Sequence, residues 1–155
     1  GEVLGDTRPH KAVFVVYEDG RADIVSSVPE SDYRSIRVAA SGFAIILRDG
    51  EILEGGSYEK EPMPRIAYGL SEDRRYLYIV TVDGRQKGWS LGATGKETAA
   101  LLKEAGAADA INMDGGGSAT LCYWDEKTKT PVTVNRQTES GYQRPVGSNI
   151  GIYLK

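Results

Sequence analysis

The run Asn112-Met113-Asp114-Gly115-Gly116-Gly117-Ser118-Ala119-Thr120 ends an apolar stretch with a carboxylate and follows it at once with three glycines and a serine. Consecutive glycines weaken any helix or strand, because each loses more backbone freedom on ordering than other residues do. What they allow is positive φ and close approach of the backbone to a neighbour. Successive N–H groups in such a turn form an anion-binding nest. An acid beside an anion cradle describes a candidate site. The plainer alternative is a glycine-rich hairpin loop in which Asp114 caps the turn.

Two familiar glycine motifs are excluded. A phosphate-binding loop of the Gly-Lys-Ser/Thr kind opens a helix, whereas Ser118 through Trp124 reads here as a strand. A dinucleotide fingerprint needs a third glycine where this chain has Thr120. The 155 residues suit one domain, and 19 basic against 22 acidic side chains give a net charge of -3, which argues against a nucleic-acid partner. No apolar run approaches the ~18 residues of a membrane span. A single cysteine, Cys122, excludes an internal disulfide and a cysteine-based zinc cluster, and its mid-strand place predicts a buried structural thiol. The single histidine, His10, reads as a surface residue. Serine–histidine, cysteine–histidine and multi-histidine chemistries therefore lack raw material, leaving carboxylates, arginines, hydroxyls and backbone amides.

The elements that position these groups are β-rich. Lys11–Glu18, the turn Asp19-Gly20 and Arg21–Ser27 predict one hairpin; Gly42–Arg48, Asp49-Gly50 and Glu51–Glu54 predict another. Gly55-Gly56-Ser57 opens a polar loop. Arg65–Leu70 predicts a strand, Ser71-Glu72-Asp73 a turn, and Tyr76–Val82 an apolar strand running into Asp83-Gly84. Thr94 and Glu97 fit a capping box. Thr98, Leu101, Leu102 and Ala105 fall on one helical face, and Gly106 suits the left-handed position that ends the helix. Ala110–Asp114 follows as a strand, and Ile150–Leu154 is expected to be the last one. The fold class is α+β (mixed α/β): amino-terminal β-hairpins joined to a mixed sheet through a β-α-β crossover, with few helices.

Strand, helix, strand implies parallel strands of one sheet joined by a right-handed connection. Their carboxyl ends share an edge, so Asp83 and Asp114 are expected to emerge together where ligands of open α/β sheets bind. Period-2 alternation puts Ile111 and Met113 on one face and Asn112 and Asp114 on the other. The loop Arg85–Ala93 leaves the same edge and carries Arg85, Trp89 and Ser90. Trp89 can stack on a sugar ring or pin its loop. Arg65 and Arg144, read alone, are surface or structural arginines, and Asp125–Thr130 is a solvated tip.

Taken in order and spacing, Met63–Leu70, Val82-Asp83-Gly84-Arg85, Ser90 through the capped helix, Ala110–Thr120 and Arg144-Pro145-Val146 resemble the phosphodiester glycosidase family over about residues 62–155. The resemblance implies a cleft lined by Arg65, Asp83, Arg85, Ser90, Asn112, Asp114, the Gly115–Gly117 turn, Ser118 and Arg144. It implies a hydrolase, acting outside the cytoplasm as a secreted or cell-envelope protein of carbohydrate metabolism. Two departures stand out. Ile66 occupies a place where the family usually has threonine, and no Asn-Gly-Phe-Phe-like element precedes the hairpins, since Phe14 and Phe43 stand alone. The chain is therefore expected to be a single domain over 1–155 that lacks an amino-terminal segment.

The leading expectation is hydrolysis of a sugar-1-phosphodiester at the anomeric C–O bond, on a small-molecule or glycan substrate such as an N-acetylglucosamine-1-phosphodiester. Asp114 and Asp83 are the candidate catalytic carboxylates; Arg65, Arg85, Ser90, Asn112, Gly115, Gly116, Gly117, Ser118 and Arg144 are the candidate substrate-binding residues. No cofactor or metal enters this reading. Two rivals remain: a phosphohydrolase in which Asp83 and Asp114 ligate Mg²⁺ or Ca²⁺, and a non-catalytic glycan- or phosphate-binding module.

Overall fold

A computed structural model describes residues 12–53, 60–138, 142–147 and 149–153. His10 and the Gly55-Gly56-Ser57 loop lie outside the described residues. The strands are β1 (Val13–Tyr17), β2 (Ala22–Val25), β3 (Ile36–Ser41), β4 (Ala44–Arg48), β5 (Glu51–Ile52), β6 (Arg65–Leu70), β7 (Leu77–Val82), β8 (Asp109–Asn112), β9 (Cys122–Asp125) and β10 (Thr130–Thr133); helix α1 spans Gly95–Ala105. They form a three-stranded sheet β2-β1-β3, a five-stranded sheet β5-β4-β8-β6-β7 and a two-stranded sheet β10-β9. The α+β class holds, with a single α-helix among the described residues.

The five-stranded sheet is antiparallel at every neighbouring pair, so the expected mixed sheet is corrected. The crossover itself survives. β7 and β8 are each antiparallel to β6, which lies between them, so they run in the same direction one strand apart. Both therefore end at the same edge, beside the start of β6.

Alternation along β6 divides the molecule into layers. Ile66, Tyr68 and Leu70 pack with Phe14, Ile24 and Ile111 against the three-stranded sheet. Ala67 faces the other way, toward Leu102 and Ala99 of α1. The β4–β8 register shifts between Ile45 and Leu47, and this irregularity brings both Ile46 and Leu47 to the helix side. Close helix packing depends on Gly69, where an added Cβ would stand 2.8 Å from that of Ala107 and 3.1 Å from Leu102 Cδ2.

The capping box forms as expected. Thr94 Oγ1 accepts from Glu97 N at 3.1 Å, and Glu97 Oε2 accepts from Thr94 N at 2.8 Å. The Thr94 backbone N–H, and after it the Thr94 hydroxyl donating to Glu97 Oε2 at 2.9 Å, hold the Glu97 carboxyl below its ordinary pKa. Gly106 ends the helix at φ +109°. The buried stripe is not the expected one: it runs through Gly95, Thr98, Ala99 and Leu102, while Leu101 and Ala105 are exposed. Thr98 buries because its hydroxyl donates to Thr94 O at 2.8 Å.

Three further corrections concern the periphery. β3 has no counterpart in the expectations; it follows a 3-10 turn, Glu30–Ser35, and pairs with β1. Ser118 through Trp124 is not one strand, because Gly116–Ser118 is a 3-10 turn and β9 starts only at Cys122. Residues 150–153 of the expected last strand form no ladder. Cys122 is exposed rather than buried, since among the described residues no layer covers the β9–β10 hairpin at that position.

Candidate active site

The central strand β8 delivers the Asp114 segment to the edge of the sheet. Pairing with β6 continues past its end, as Met113 N donates to Ile66 O at 2.9 Å. The chain then folds into the Gly116–Ser118 turn, with Gly116 at φ +60°. Gly116 N donates to Pro64 O at 3.1 Å and Ser118 N to Gly115 O at 3.1 Å. These N–H groups are thus spent inside the fold, so an anion placed here would be held more by side chains than by an open nest.

Two arginines supply those side chains. A Cβ at Gly116 would lie 3.4 Å from Arg85 Nη1, and one at Gly117 would lie 3.4 Å from Arg144 Nη1. Both guanidinium groups therefore rest against the glycine turn. Arg85 donates to Met63 Sδ at 3.1 Å, a weak acceptor, and Arg144 donates to the Ser118 hydroxyl. Neither makes an ion pair among the described residues. Asp114 is exposed, and its carboxylate takes no hydrogen bond or ion pair from a described residue.

These groups line a cavity of ≈ 330 Å³, at the lower end of the range for ligand sites. Of the residues singled out in the sequence, Arg65, Arg85, Asn112, Asp114, Gly115, Gly116, Gly117 and Arg144 line it. Asn112 is buried in its wall, with Nδ2 donating to Met113 O at 3.3 Å. Arg65 is 2% exposed, which the sequence did not suggest; Nε donates to Ala93 O at 2.9 Å and Nη2 to Glu61 O at 3.0 Å. Carbonyl dipoles thus share its charge while it anchors the loop before the helix.

Asp83, Ser90 and Ser118 are not among the lining residues. Ser118 stands behind Arg144 as its acceptor. Asp83 Oδ2 accepts from Trp89 Nε1 at 2.8 Å, and Oδ1 accepts from Arg136 N at 2.8 Å. Ser90 Oγ donates to Asp83 O at 2.6 Å and accepts from Gly92 N at 3.1 Å. Trp89 pins its loop through this bond, and the Arg136 guanidinium lies 5.3 Å from its ring centroid. Among the described residues no group of three His, Cys, Asp or Glu side chains is placed to hold a metal ion.

A family model described as phosphodiester glycosidase matches residues 1–153. The chain belongs to the phosphodiester glycosidase family. The match takes in the first sixty residues, where the sequence carries no diagnostic motif. Among solved structures, the chain is similar to the zebrafish N-acetylglucosamine-1-phosphodiester alpha-N-acetylglucosaminidase catalytic domain auto-inhibited by pro-peptide, at 23% identity and a TM-score of 0.64. That similarity covers 87% of this chain and 48% of the zebrafish one, so the chain spans about half of its relative's length. It is a likeness of fold. A hypothetical protein from Synechocystis is similar at 14% identity and a TM-score of 0.45, over 74% of this chain and 30% of that one. No curated protein matches the chain.

Sequence reasoning about this phosphodiester glycosidase domain did not single out four lining residues, Met63, Pro64, Met113 and the exposed Phe43. Phe43 is 43% exposed and is held by its N–H to Asn112 O at 2.8 Å. The signal was Gly42 before it, where a Cβ would stand 2.6 Å from Asn112 O. Among the described residues no helix is long and apolar enough to cross a membrane.

Proposed function

We propose that the cleft hydrolyses a sugar-1-phosphodiester by breaking the anomeric C–O bond. The observation that carries this reading is the pair Arg85 and Arg144, without counter-ions among the described residues, set against the glycine turn beside a carboxylate that has no described partner. Like charges gathered without a carboxylate between them suit a bound anion, and guanidinium groups match phosphate oxygens in charge-assisted pairs.

The chemistry fits these residues. The leaving group is a phosphate monoester whose second pKa is about 6, so it departs as a stable anion with little need of a general acid. The larger demand is the oxocarbenium-like charge at the anomeric carbon. Asp114 meets it in one of two ways. As nucleophile it bonds to that carbon and is later displaced by water; as base it takes a proton from the water that attacks. Either way the water oxygen ends on the sugar. Asp83, with both oxygens engaged, takes the role of holding the Trp89 loop and the Arg136 segment in this reading. An N-acetylglucosamine-type sugar is the first to try, since the zebrafish relative's name carries that sugar.

Turnover in oxygen-18 water tests the proposal. Label in the released sugar is expected. Label in the phosphate would mean P–O cleavage and overturn it, and stoichiometric binding of a panel of sugar phosphodiesters without turnover would leave a binding module.

A further inference from the structure

Two segments meet on one wall of the cavity, and each brings one group to it. Met63 supplies a thioether and Arg85 a guanidinium, with Arg85 Nη2 donating to Met63 Sδ at 3.1 Å. The segments are fixed to one another. Met63 N donates to Ala93 O at 3.1 Å and Ala93 N to Met63 O at 3.0 Å, while Arg85 N donates to Leu91 O at 3.2 Å. Gly92 allows this close approach, since a Cβ there would overlap the Met63 carbonyl. The sulfur is therefore held beside the guanidinium.

The chain has two methionines, Met63 and Met113, and both line the cavity. Their surroundings differ. Met113 is 8% exposed and packs with Phe14, Ile24 and Ile111 between the sheets. Met63 is half-buried and belongs to none of the core clusters of the described residues. A thioether is a weak acceptor, so Arg85 gives little to Met63 and keeps its charge for a bound anion. A sulfoxide is polar. On Met113 its oxygen would enter the core, where an unpaired polar group is costly. On Met63 it meets a guanidinium already placed to donate to it, in a charge-assisted bond.

We propose that Met63 is an oxidation site through which peroxide lowers the anion affinity of the cleft. The inference rests on the reading that Arg85 holds the phosphate. In the step, a sulfur lone pair attacks one oxygen of hydrogen peroxide. The S–O bond forms, the O–O bond breaks, and the proton on the transferred oxygen passes to the departing hydroxide, which leaves as water. Sulfur loses the electron pair that the peroxide gains. The new oxygen then takes the Nη2 donor that a phosphate oxygen would otherwise use. Reduction by a dithiol returns the thioether, with water and a disulfide as the other products, in the manner of methionine sulfoxide reductases.

Calorimetric titration with methyl phosphate, before and after treatment with hydrogen peroxide, tests this. A Cys122→Ser background keeps the exposed thiol out of the reaction. Peptide mass mapping is expected to find the added oxygen on Met63 ahead of Met113. Affinity is expected to fall roughly fivefold, part of what a hydrogen bond to a charged group contributes, and to recover with a sulfoxide reductase and dithiol. Met63→Leu is expected to show one affinity before and after peroxide. Met63→Gln, which brings an amide oxygen to Arg85, is expected to bind more weakly without any oxidant, and it serves if the treated protein loses its fold. Four results overturn this inference alone: Met63 left in its reduced form, unchanged affinity once it is oxidised, an equal loss in Met63→Leu, or parental affinity in a folded Met63→Gln variant. Failure of the untreated protein to bind methyl phosphate overturns the reading of the cleft as an anion site, and this inference with it.

Discussion

The Asp83 carboxylate accepts the backbone N–H of Arg136 at 2.8 Å across 53 positions of sequence, while its other oxygen accepts from Trp89. One side chain thus ties two loops together at the edge where β7 and β8 end. The expected outcome for Asp83→Asn is a loss in kcat/KM of no more than about tenfold, with altered Trp89 fluorescence, because one of two hydrogen bonds worth ~1 kcal/mol each is removed. A loss of ~10²–10⁴ would instead make Asp83 a direct acid or base.

Asp114→Asn is expected to lower kcat by ~10²–10⁴ and leave the melting temperature unchanged. The side chain is exposed and takes no described hydrogen bond, so the fold has little to lose. Near-parental kcat in a normally melting variant would return Asp114 to the role of a turn residue.

Arg85→Ala and Arg144→Ala should each weaken methyl phosphate binding about tenfold or more, since a hydrogen bond to a charged group contributes ~1.5–3 kcal/mol. Binding should also fall as salt is raised. Unchanged affinity in either variant removes that arginine from the anion site.

Gly115 sits at φ −89° and ψ −145°, outside the left-handed region, and what it supplies to the turn is space. A Cβ there would overlap the Pro64 carbonyl oxygen, the acceptor that also docks Gly116. Gly115→Ala is expected to cost ~1–3 kcal/mol in urea unfolding and to depress activity with it. A variant with parental stability would show that the turn can move away from Pro64.

At the opposite end of β8, the buried Asp109 carboxylate accepts from Asp49 N at 2.9 Å, pairs with Arg74, and stands 3.4 Å from Arg48. Arg48 also donates to Ile24 O at 2.7 Å, linking this cluster to the three-stranded sheet. Asp109→Ala takes the shared carboxylate from Arg48 and Arg74, but both arginines are partly exposed and Arg74 keeps Asp23 at 3.6 Å, so the expected cost by urea denaturation is ~1–3 kcal/mol. A cost below ~1 kcal/mol would mean that water already reaches the cluster.

The parts of this fold written in the sequence are those with local causes. Asp19-Gly20 and Asp49-Gly50 join the strands they were expected to join, and Thr94, Glu97 and Gly106 bound the helix as their chemistry requires. Elements that depend on distant partners were not legible. Ile36–Ser41 is a strand because β1 offers an edge, and nothing in its own composition says so. Cys122 was expected to be buried on the assumption that a sheet is covered, and the β9–β10 hairpin is a separate two-stranded sheet. That β7 and β8 end at one edge followed from the strand–helix–strand order, but Asp83 stays outside the cavity that Asp114 lines. That both Asp83 oxygens are engaged depends on Trp89 and Arg136, and no short-range pattern announces a bond across 53 residues.

Strand order also separates two timescales within the cleft. β8 lies between β4 and β6, paired on both sides, and Asp114 follows its end by two residues. Amides in such a strand exchange with solvent only when much of the domain opens, whereas segments outside ladders exchange through local fluctuations. Arg85 lies in the 83–94 connection, where its N–H donates to Leu91 O at 3.2 Å, and Arg144 in an irregular stretch, so both cations are expected to ride on backbone that exchanges faster than the β8 strand beside the acid. A ligand that bridges Arg85, Arg144 and Asp114 would therefore slow exchange in residues 84–92 and 142–147 and leave β8 as it was, which makes those loops the place to read occupancy.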